Sequence, residues 1–422
     1  MKWGGRGERD LQDQLDRAAR LGMPKTPADL IAPLDDPKRN AAIHYARFAA
    51  TRGFFSKRIA RTPDFYPVNA AEIDEIDRFL LPSKAALAQF ERATELPECR
   101  LVRNFDYSDA VAPTEIFVHQ GAKLLLIRAC RESAVGDPAR AMRTLTAVAR
   151  ACAHLGNTPT ITSKTSQIVI ESQALEAMQE ILGENGRRPE VRSAARSLLA
   201  ALGPDIRMRD TLRGEWLFHR NTLGFLYSNK ASLDDVKEQI QIAEEKKIGK
   251  TDATIFGLRM QTRAGRLAQE VTTLRFVLDQ YEALPDDPMD IKGALKACKD
   301  VQDKMDKAGV DAMYAQLAVP PLPDAFDMAA AANVRRRLMS ALLTALDSPV
   351  PPKTLSLSGK EATDPFSGKP YGYRATSKQI VIWSVGRDGH DDGGLFRAGS
   401  KSFDDIVAWP YPKKRPKAAP RP

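Results

Sequence analysis

Residues 137–156, DPARAMRTLTAVARACAHLG, carry the pattern that decides the fold. Asp137 is a helix-capping residue type and Pro138 suits the first helical position, so the stretch predicts a helix that begins here. Its apolar side chains recur at steps of three and four and share one face: Met142, Leu145, Val148, Cys152 and Leu155. Such a stripe has to be buried against neighbouring helices.

The segments on either side repeat this pattern. The preceding segment places Phe117, Leu124 and Ile127 together, and the following one places Ile168, Leu175, Met178 and Leu182 together. Three successive amphipathic helices are expected to bury their stripes against one another. We predict a helical domain over residues 81–203, ended by Gly203-Pro204.

A second helical block is predicted over residues 204–347, and it includes a long helical stretch from Thr251 to Leu284. The sequence leaves open whether this block shares the core of the first one. Residues 232–235 resemble a helix N-terminus with acids in the first turn. We find no repeat of 34 or 40 residues. The fold class is therefore mainly α, a helical bundle or irregular α-solenoid-like body.

Residues 1–80 are predicted to be a polar segment and connector. Four prolines break its first half and permit one short helix around Leu11 to Leu21: Pro24, Pro27, Pro33 and Pro37. We expect this segment to act as a spacer.

Composition predicts two or three ordered domains in a chain of 422 residues, of which 43% are hydrophobic and 28% charged. The formal charge of +9 is concentrated at the end, where five cations lie among the last ten residues: Lys413, Lys414, Arg415, Lys417 and Arg421. We predict a basic disordered end over 413–422, with weak contact to an anionic phosphate, membrane or acidic partner as the alternative. Nucleic acid is not the expected partner.

No window approaches the roughly 20 apolar residues of a membrane span, and the opening MKWGGR lacks the apolar core of a signal peptide. A soluble chain is expected, although a misplaced start codon would also remove an anchor. The four cysteines form no CxxC and no zinc-binding spacing with histidine: Cys99, Cys130, Cys152 and Cys298. Small buried thiols are expected, with disulfides as the alternative.

The character of the chain changes after Asp347. Pro349, Pro351 and Pro352 stop the helix, and β-favouring runs follow at Tyr371 to Ala375 and Gln379 to Val385. The second run is mainly apolar and alternates poorly, as in a buried strand. We predict a separate small domain over residues 348–412.

A dense polar cluster follows the second run. Residues 386–394, GRDGHDDGG, form an acidic loop, and Asp404-Asp405 come shortly after it. Calcium takes six to eight oxygen ligands, and glycines permit the turns that wrap them around the ion. The loop lacks the final glutamate of an EF-hand. An ordinary acidic turn is the alternative interpretation.

An ordered series of motifs resembles the C-terminal half of the type II secretion major pseudopilin. It comprises residues 364–373 (DPFSGKPYGY), the run ending Trp383-Ser384-Val385, residues 386–389 (GRDG), and Asp404-Asp405-Ile406 with Trp409. The resemblance implies a small antiparallel sheet and a bound calcium. By this similarity Asp388, Asp404 and Asp405 would be side-chain ligands, with the Val385 carbonyl as an additional ligand.

The departures from the family limit what the resemblance implies. Phe366 stands where tryptophan is usual, Ser367 is an extra residue, and the pair Asp391-Asp392 enriches the loop, so the ligand set could differ. The long apolar helix that polymerises pseudopilins is missing, so filament formation is not implied. The chain as a whole resembles bacterial envelope proteins that join a helical body to a pseudopilin-like tail.

Two pairs suggest an enzyme as the alternative function. Glu115 and His119, and again Glu215 and His219, stand four apart on predicted helices, whereas carboxylate-bridged metal bundles use a spacing of three. Ordinary packed side chains are the favoured interpretation. Residues 249–251, GKT, lack the earlier glycine and strand of a P-loop, and nucleophile-elbow and dinucleotide fingerprints are absent from the sequence.

These observations predict a non-enzymatic structural or interaction protein of the bacterial envelope. No catalytic residue is predicted. A calcium-stabilised tail and an unidentified protein partner are expected, and the resemblance favours an extracytoplasmic location over a cytoplasmic one.

Overall fold

The computed structural model describes residues 4–31, 36–50, 72–101, 105, 113–227, 250–260, 262–318, 322–355, 357–376, 379–394 and 405–408. The helices are α1 Gly4–Arg20, α2 Ala41–Ala50, α3 Ile73–Leu80, α4 Lys84–Thr94, α5 Pro113–Ala134, α6 Pro138–Gly156, α7 Ile161–Asn185, α8 Pro189–Ala201, α9 Leu212–Tyr227, α10 Lys250–Met260, α11 Arg263–Ala283, α12 Ile291–Ala308, α13 Met313–Ala318 and α14 Leu322–Asp347. The strands are β1 Gly372–Ala375, β2 Ile380–Ser384 and β3 Ile406–Ala408. The mainly helical class with a small C-terminal sheet is confirmed.

Helix α6 lies at the centre of the first block. Asp137 caps it by accepting the N–H of Arg140 at 3.1 Å, and Pro138 occupies its first turn. All five side chains of its predicted stripe are fully buried, and the helix packs against α5, α7 and α8. The stripes predicted on α5 and α7 are buried in the same hydrophobic cluster, apart from Ile168, which is buried in a neighbouring one.

The second block departs from the predicted continuous stretch. Helix α10 ends at Met260, and Thr262 starts α11 by accepting the N–H of Gly265 at 3.0 Å. A threonine whose hydroxyl caps the following helix favours a break at this point. The pattern predicted at 232–235 lies outside the described residues.

The N-terminal segment contains more helix than predicted: α2 and α3 pack on the first block, and α1 packs on the second. Helix α1 contacts α11, where Arg17 forms ion pairs with Asp279, at 2.8 Å, and with Glu282. The Trp216 indole donates to the carbonyl of Pro24 at 3.2 Å. These contacts fasten the segment to the body rather than leaving it as a spacer.

Helix α14 joins both blocks and the sheet. Its Arg336 pairs with the buried Glu171 of α7 and donates to the carbonyls of Gly203 and Pro204, at 3.2 and 2.6 Å. A buried guanidinium needs this many partners to offset its lost hydration. The residues between the two blocks are thereby held against α14.

The sheet is antiparallel with strand order β1-β2-β3, and Ile382 pairs with Tyr373 on one side and with Ala408 on the other. Every residue of β2 is buried, as predicted for the apolar run. Ile380 and Ile382 face α14 and belong to the main hydrophobic cluster, whereas Val381 and Trp383 form a second cluster with Val407. The alternation of a strand explains the two faces. Across the described residues, no helix is long and apolar enough to cross a bilayer.

Candidate metal centre

Asp364 anchors the start of the acidic loop. It is 1% exposed, and its carboxylate accepts the N–H of Val385 at 3.0 Å and the hydroxyl of Ser384 at 2.8 Å. It also accepts the N–H of Phe366 at 3.0 Å and the hydroxyl of Ser367 at 3.1 Å. The DPFS motif therefore ties the entry of the sheet to the end of β2.

The acidic loop then covers the second face of the sheet. Gly394 has a φ of +69°, and a Cβ at this position would lie 2.9 Å from the Trp383 ring and 3.0 Å from Val381. Glycine is therefore required both by the backbone conformation and by the close approach. The loop closes the small cluster formed by Val381, Trp383 and Val407.

Two acids of the loop organise its own turns. The exposed Asp388 accepts the N–H of His390 at 2.9 Å. Asp391 accepts the Trp383 indole N–H at 2.8 Å and the N–H of Gly393 at 2.9 Å, and these hydrogen bonds lower the pKa of its carboxyl. Both are local arrangements of a kind that aspartate favours in turns.

Asp405 and Asp392 form the unusual part of the loop. Asp405 is 7% exposed, and its Oδ2 accepts the backbone N–H of Gly394 at 2.9 Å. Its Oδ1 and the Oδ2 of Asp392 are both buried without a hydrogen-bond partner among the described residues. Burial raises the pKa of Asp405, and the neighbouring Asp392 carboxylate raises it further.

Buried, unpartnered carboxylate oxygens beside a second carboxylate fit the donor requirements of a hard cation. A positive ion would satisfy both oxygens and remove the repulsion between the two charges. Without an ion, the same oxygens are costly to bury. The arrangement of Asp392 and Asp405 thus matches the oxygen-rich chemistry expected of calcium.

The predicted ligands are placed unequally. Asp405 lies in the buried position described above, whereas Asp388 is exposed and engaged with His390. Val385 lies where β2 meets the loop, and Asp404 is outside the described residues. Within the described ranges, no three His, Cys, Asp or Glu side chains are grouped closely enough to hold a metal ion.

The two glutamate–histidine pairs contribute to a helix start. Glu115 accepts the hydroxyl of Ser163, and Glu215 accepts the N–H of Ile161 at 3.0 Å. Both carboxylates thus meet the first turn of α7, where free N–H groups and the helix dipole favour negative charge. Burial lowers the pKa of His119, and that of the fully buried His219 to about 4.

The remaining sequence features are the cysteines, residues 249–251 and the basic end. All four cysteines are buried and free, and burial raises the pKa of Cys99 and Cys298 to about 12, which keeps them protonated and unreactive. Lys250 and Thr251 begin helix α10, while Gly249 and the basic end over 413–422 lie outside the described residues.

The sequence shows Asp391 and Asp392 as additional acids of the loop, but it does not predict where either side chain lies. Nothing in the spacing distinguishes them, because one side chain turns to Trp383 and the next to Asp405.

Comparison with protein-family models, with characterised proteins and with solved structures finds no match to this chain.

Proposed function

We propose that the chain is a non-enzymatic structural or protein-interaction component of the bacterial envelope, whose C-terminal sheet is stabilised by calcium. The observation that carries the proposal is the pair of buried, unpartnered oxygens of Asp392 and Asp405. Asp392 lies in the glycine-rich loop that covers one face of the sheet, and Asp405 directly precedes β3. The resemblance of residues 364–409 to the pseudopilin head supports calcium as the ion.

The chemistry of the donors favours calcium over softer metals. The side chains around the site offer mainly oxygen atoms: the described cysteines are buried in other parts of the chain, and the exposed His390 has its Nε2 3.9 Å from Asp392 Oδ1. Calcium accepts six to eight oxygens in flexible geometry, which suits carboxylates on a loop together with backbone carbonyls and water. Asp392 and Asp405 would supply two side-chain ligands, and Asp404 and the Val385 carbonyl are adjacent candidates.

The ion would stabilise the sheet rather than take part in a reaction. Three strands of three to five residues bury little apolar surface by themselves. An ion that binds only the folded form adds about 2.7 kcal/mol to its stability when its concentration is 100 times the dissociation constant. Extracellular calcium modules work with dissociation constants of about 10⁻⁴ to 10⁻³ M, which supports an extracytoplasmic location.

The helical body is the proposed partner surface.

The two glutamate–histidine pairs, which are the basis of the enzyme alternative, have their glutamates occupied at the start of α7. Retention of iron, manganese or zinc by the purified protein, lost on replacing His119 or His219, would favour the enzyme instead.

Calcium titration by calorimetry tests the proposal. The intact chain should bind one calcium ion, and Asp405→Asn and Asp392→Asn should each weaken binding about tenfold or more, equivalent to about 1.4 kcal/mol. Asp388→Asn is the matched control, because it removes one exposed charge from the same loop. A threefold effect or less is expected there. Failure of the intact chain to bind calcium at millimolar concentration would overturn the proposal.

A further inference from the structure

Among the described residues, the Arg387 side chain attaches the acidic loop to the helical body. Arg387 Nη1 lies 3.0 Å from Asp324 Oδ1, and its Nε lies 2.8 Å from Asp327 Oδ2. Both partners belong to the first turns of α14, and Arg387 is the second residue of the loop. The contact thus joins the loop to the helix on which the sheet packs.

Asp327 makes this contact energetically significant. Its side chain is 8% exposed, and apart from the ion pair neither of its oxygens has a hydrogen-bond partner among the described residues. An ionised carboxylate that is buried without a partner is strongly destabilising. Arg387 is therefore the group that makes the charge of Asp327 tolerable in the folded protein.

The loop is held at two places. At its beginning, Arg387 holds it to α14, and at its end, the N–H of Gly394 holds it to Asp405. Six residues separate Arg387 from Gly394, and the positive-φ Gly389 and Gly393 define the turns between them. A loop this short and this constrained transmits a change at one attachment to the other.

We propose that Arg387 is a latch that couples cation binding by the acidic loop to docking of that loop on α14. This inference rests on the calcium site proposed above and assigns its regulation. Calcium at Asp392 and Asp405 favours the latched loop, and the latched loop in turn favours calcium, because coupling between two sites is reciprocal. The helical body thereby senses whether the loop holds its ion.

The latch makes a prediction opposite in sign to simple electrostatics. Removing the positive charge of Arg387 reduces repulsion of a cation and should by itself strengthen calcium binding. Loss of the latch should instead weaken it, by roughly fivefold or more for a coupling of ordinary size. The direction of the change therefore separates the two effects.

Calcium affinity is measured by calorimetry for the intact chain, Arg387→Met and Lys353→Met. The last is the control, since it removes one positive charge from an exposed side chain before the sheet. Arg387→Met should bind at least fivefold more weakly and Lys353→Met within twofold of the intact chain. Equal or tighter binding by Arg387→Met overturns the latch and leaves the calcium site standing, whereas absence of binding by the intact chain overturns both.

Hydrogen exchange gives a second readout in the intact chain. Calcium should slow amide exchange at the beginning of α14, residues 326–330, and this protection should disappear in Arg387→Met. If that variant does not fold, Asp324→Asn removes only the exposed partner and should halve the protection or more. Exchange at the beginning of α14 that is indifferent to calcium in the intact chain refutes the latch.

Discussion

Replacing Asp405 by asparagine should stabilise the sheet when calcium is absent and destabilise it when calcium is present. In the calcium-free protein the Asp405 carboxylate is buried beside that of Asp392, and each has an oxygen without a partner. Asparagine keeps an oxygen that accepts the N–H of Gly394. Its amide nitrogen takes the position of Oδ1 and can donate to Asp392. A repulsion is thus replaced by a hydrogen bond.

The magnitude follows from these contacts. A net hydrogen bond contributes about 0.5–1.5 kcal/mol, so Asp405→Asn should make the calcium-free sheet more stable by about 1 kcal/mol. With calcium at 100 times the dissociation constant, the natural chain gains about 2.7 kcal/mol. A variant that has lost the site gains none of this and should then be less stable by about 1–2 kcal/mol.

The pH dependence has a defined sign. Burial raises the pKa of Asp405 in the calcium-free fold above its ordinary value of 3.8. The protonated form is therefore favoured by folding, and the associated stability is present below that ordinary value and lost as pH rises through the folded pKa. The advantage of Asp405→Asn without calcium should accordingly grow with rising pH. The protection that calcium gives the natural chain should fade at acid pH, because the bound carboxylate must be ionised.

Amide exchange of Ile380–Ser384 measures the local opening of β2 directly and does not require the whole chain to unfold in one step. It is recorded with excess chelator and with calcium, for the natural chain, Asp405→Asn and the control Asp388→Asn. Two results would refute the reasoning: a calcium-free Asp405→Asn sheet that opens more readily than the natural one, or equal protection by calcium in both chains.

Three further predictions concern the body and the sheet. Replacing Glu171 by glutamine leaves the buried Arg336 without its counter-charge and should lower the free energy of unfolding, measured with urea, by about 3–5 kcal/mol. Replacing both residues by apolar ones should recover much of that loss. Gly372→Ala would place a Cβ 2.0 Å from the Trp383 ring and should lower the melting temperature and alter the near-ultraviolet circular dichroism. Burial lowers the pKa of His154 from 6.5 to about 4. The stability that the protein has above pH 6.5 should therefore fall by about 3 kcal/mol at most as the pH is lowered toward 4. Urea unfolding of His154→Gln should lack this pH dependence.

The glycine and histidine predictions each have a result that would contradict them. Gly5→Ala is the control for the glycine change, because its Cβ meets nothing within 4 Å on an exposed helix and should stabilise slightly. Unchanged melting of Gly372→Ala would contradict the packing of Trp383 against β1. A stability that is flat between pH 6.5 and 4 would contradict a neutral His154 held by Tyr45 at 2.8 Å.

Local signals account for the parts of the fold that could be predicted. The stripe on α6 and the cap at Asp137 depend on residues within one or two turns, and the structure reproduces both. The run from Ile380 to Trp383 is apolar because both faces of β2 are covered. Strand β3 was not predicted as a strand, because three residues are too few to form a periodic pattern.

Contacts distant in sequence account for what could not be predicted. Glu115 and Glu215 meet the same helix start although 100 positions separate them, and Arg387 pairs with Asp324 across 63. Such pairs depend on how helices are arranged in space, which single-helix periodicity does not encode. For the same reason, the spacing of acids in the loop did not show that Asp388 turns outward while Asp405 is buried.

The position of the sheet explains why an ion would matter to so small a structure. Ile380 and Ile382 are buried on α14 and gain their stability from the main core. Val381, Trp383 and Val407 have only the acidic loop as cover, and this loop places two carboxylates side by side. Burial of the apolar face therefore favours a loop closed on the sheet, whereas repulsion between Asp392 and Asp405 favours an open one. The proposed cation would resolve this conflict, and the proposed Arg387 latch would make the helical body respond to its presence.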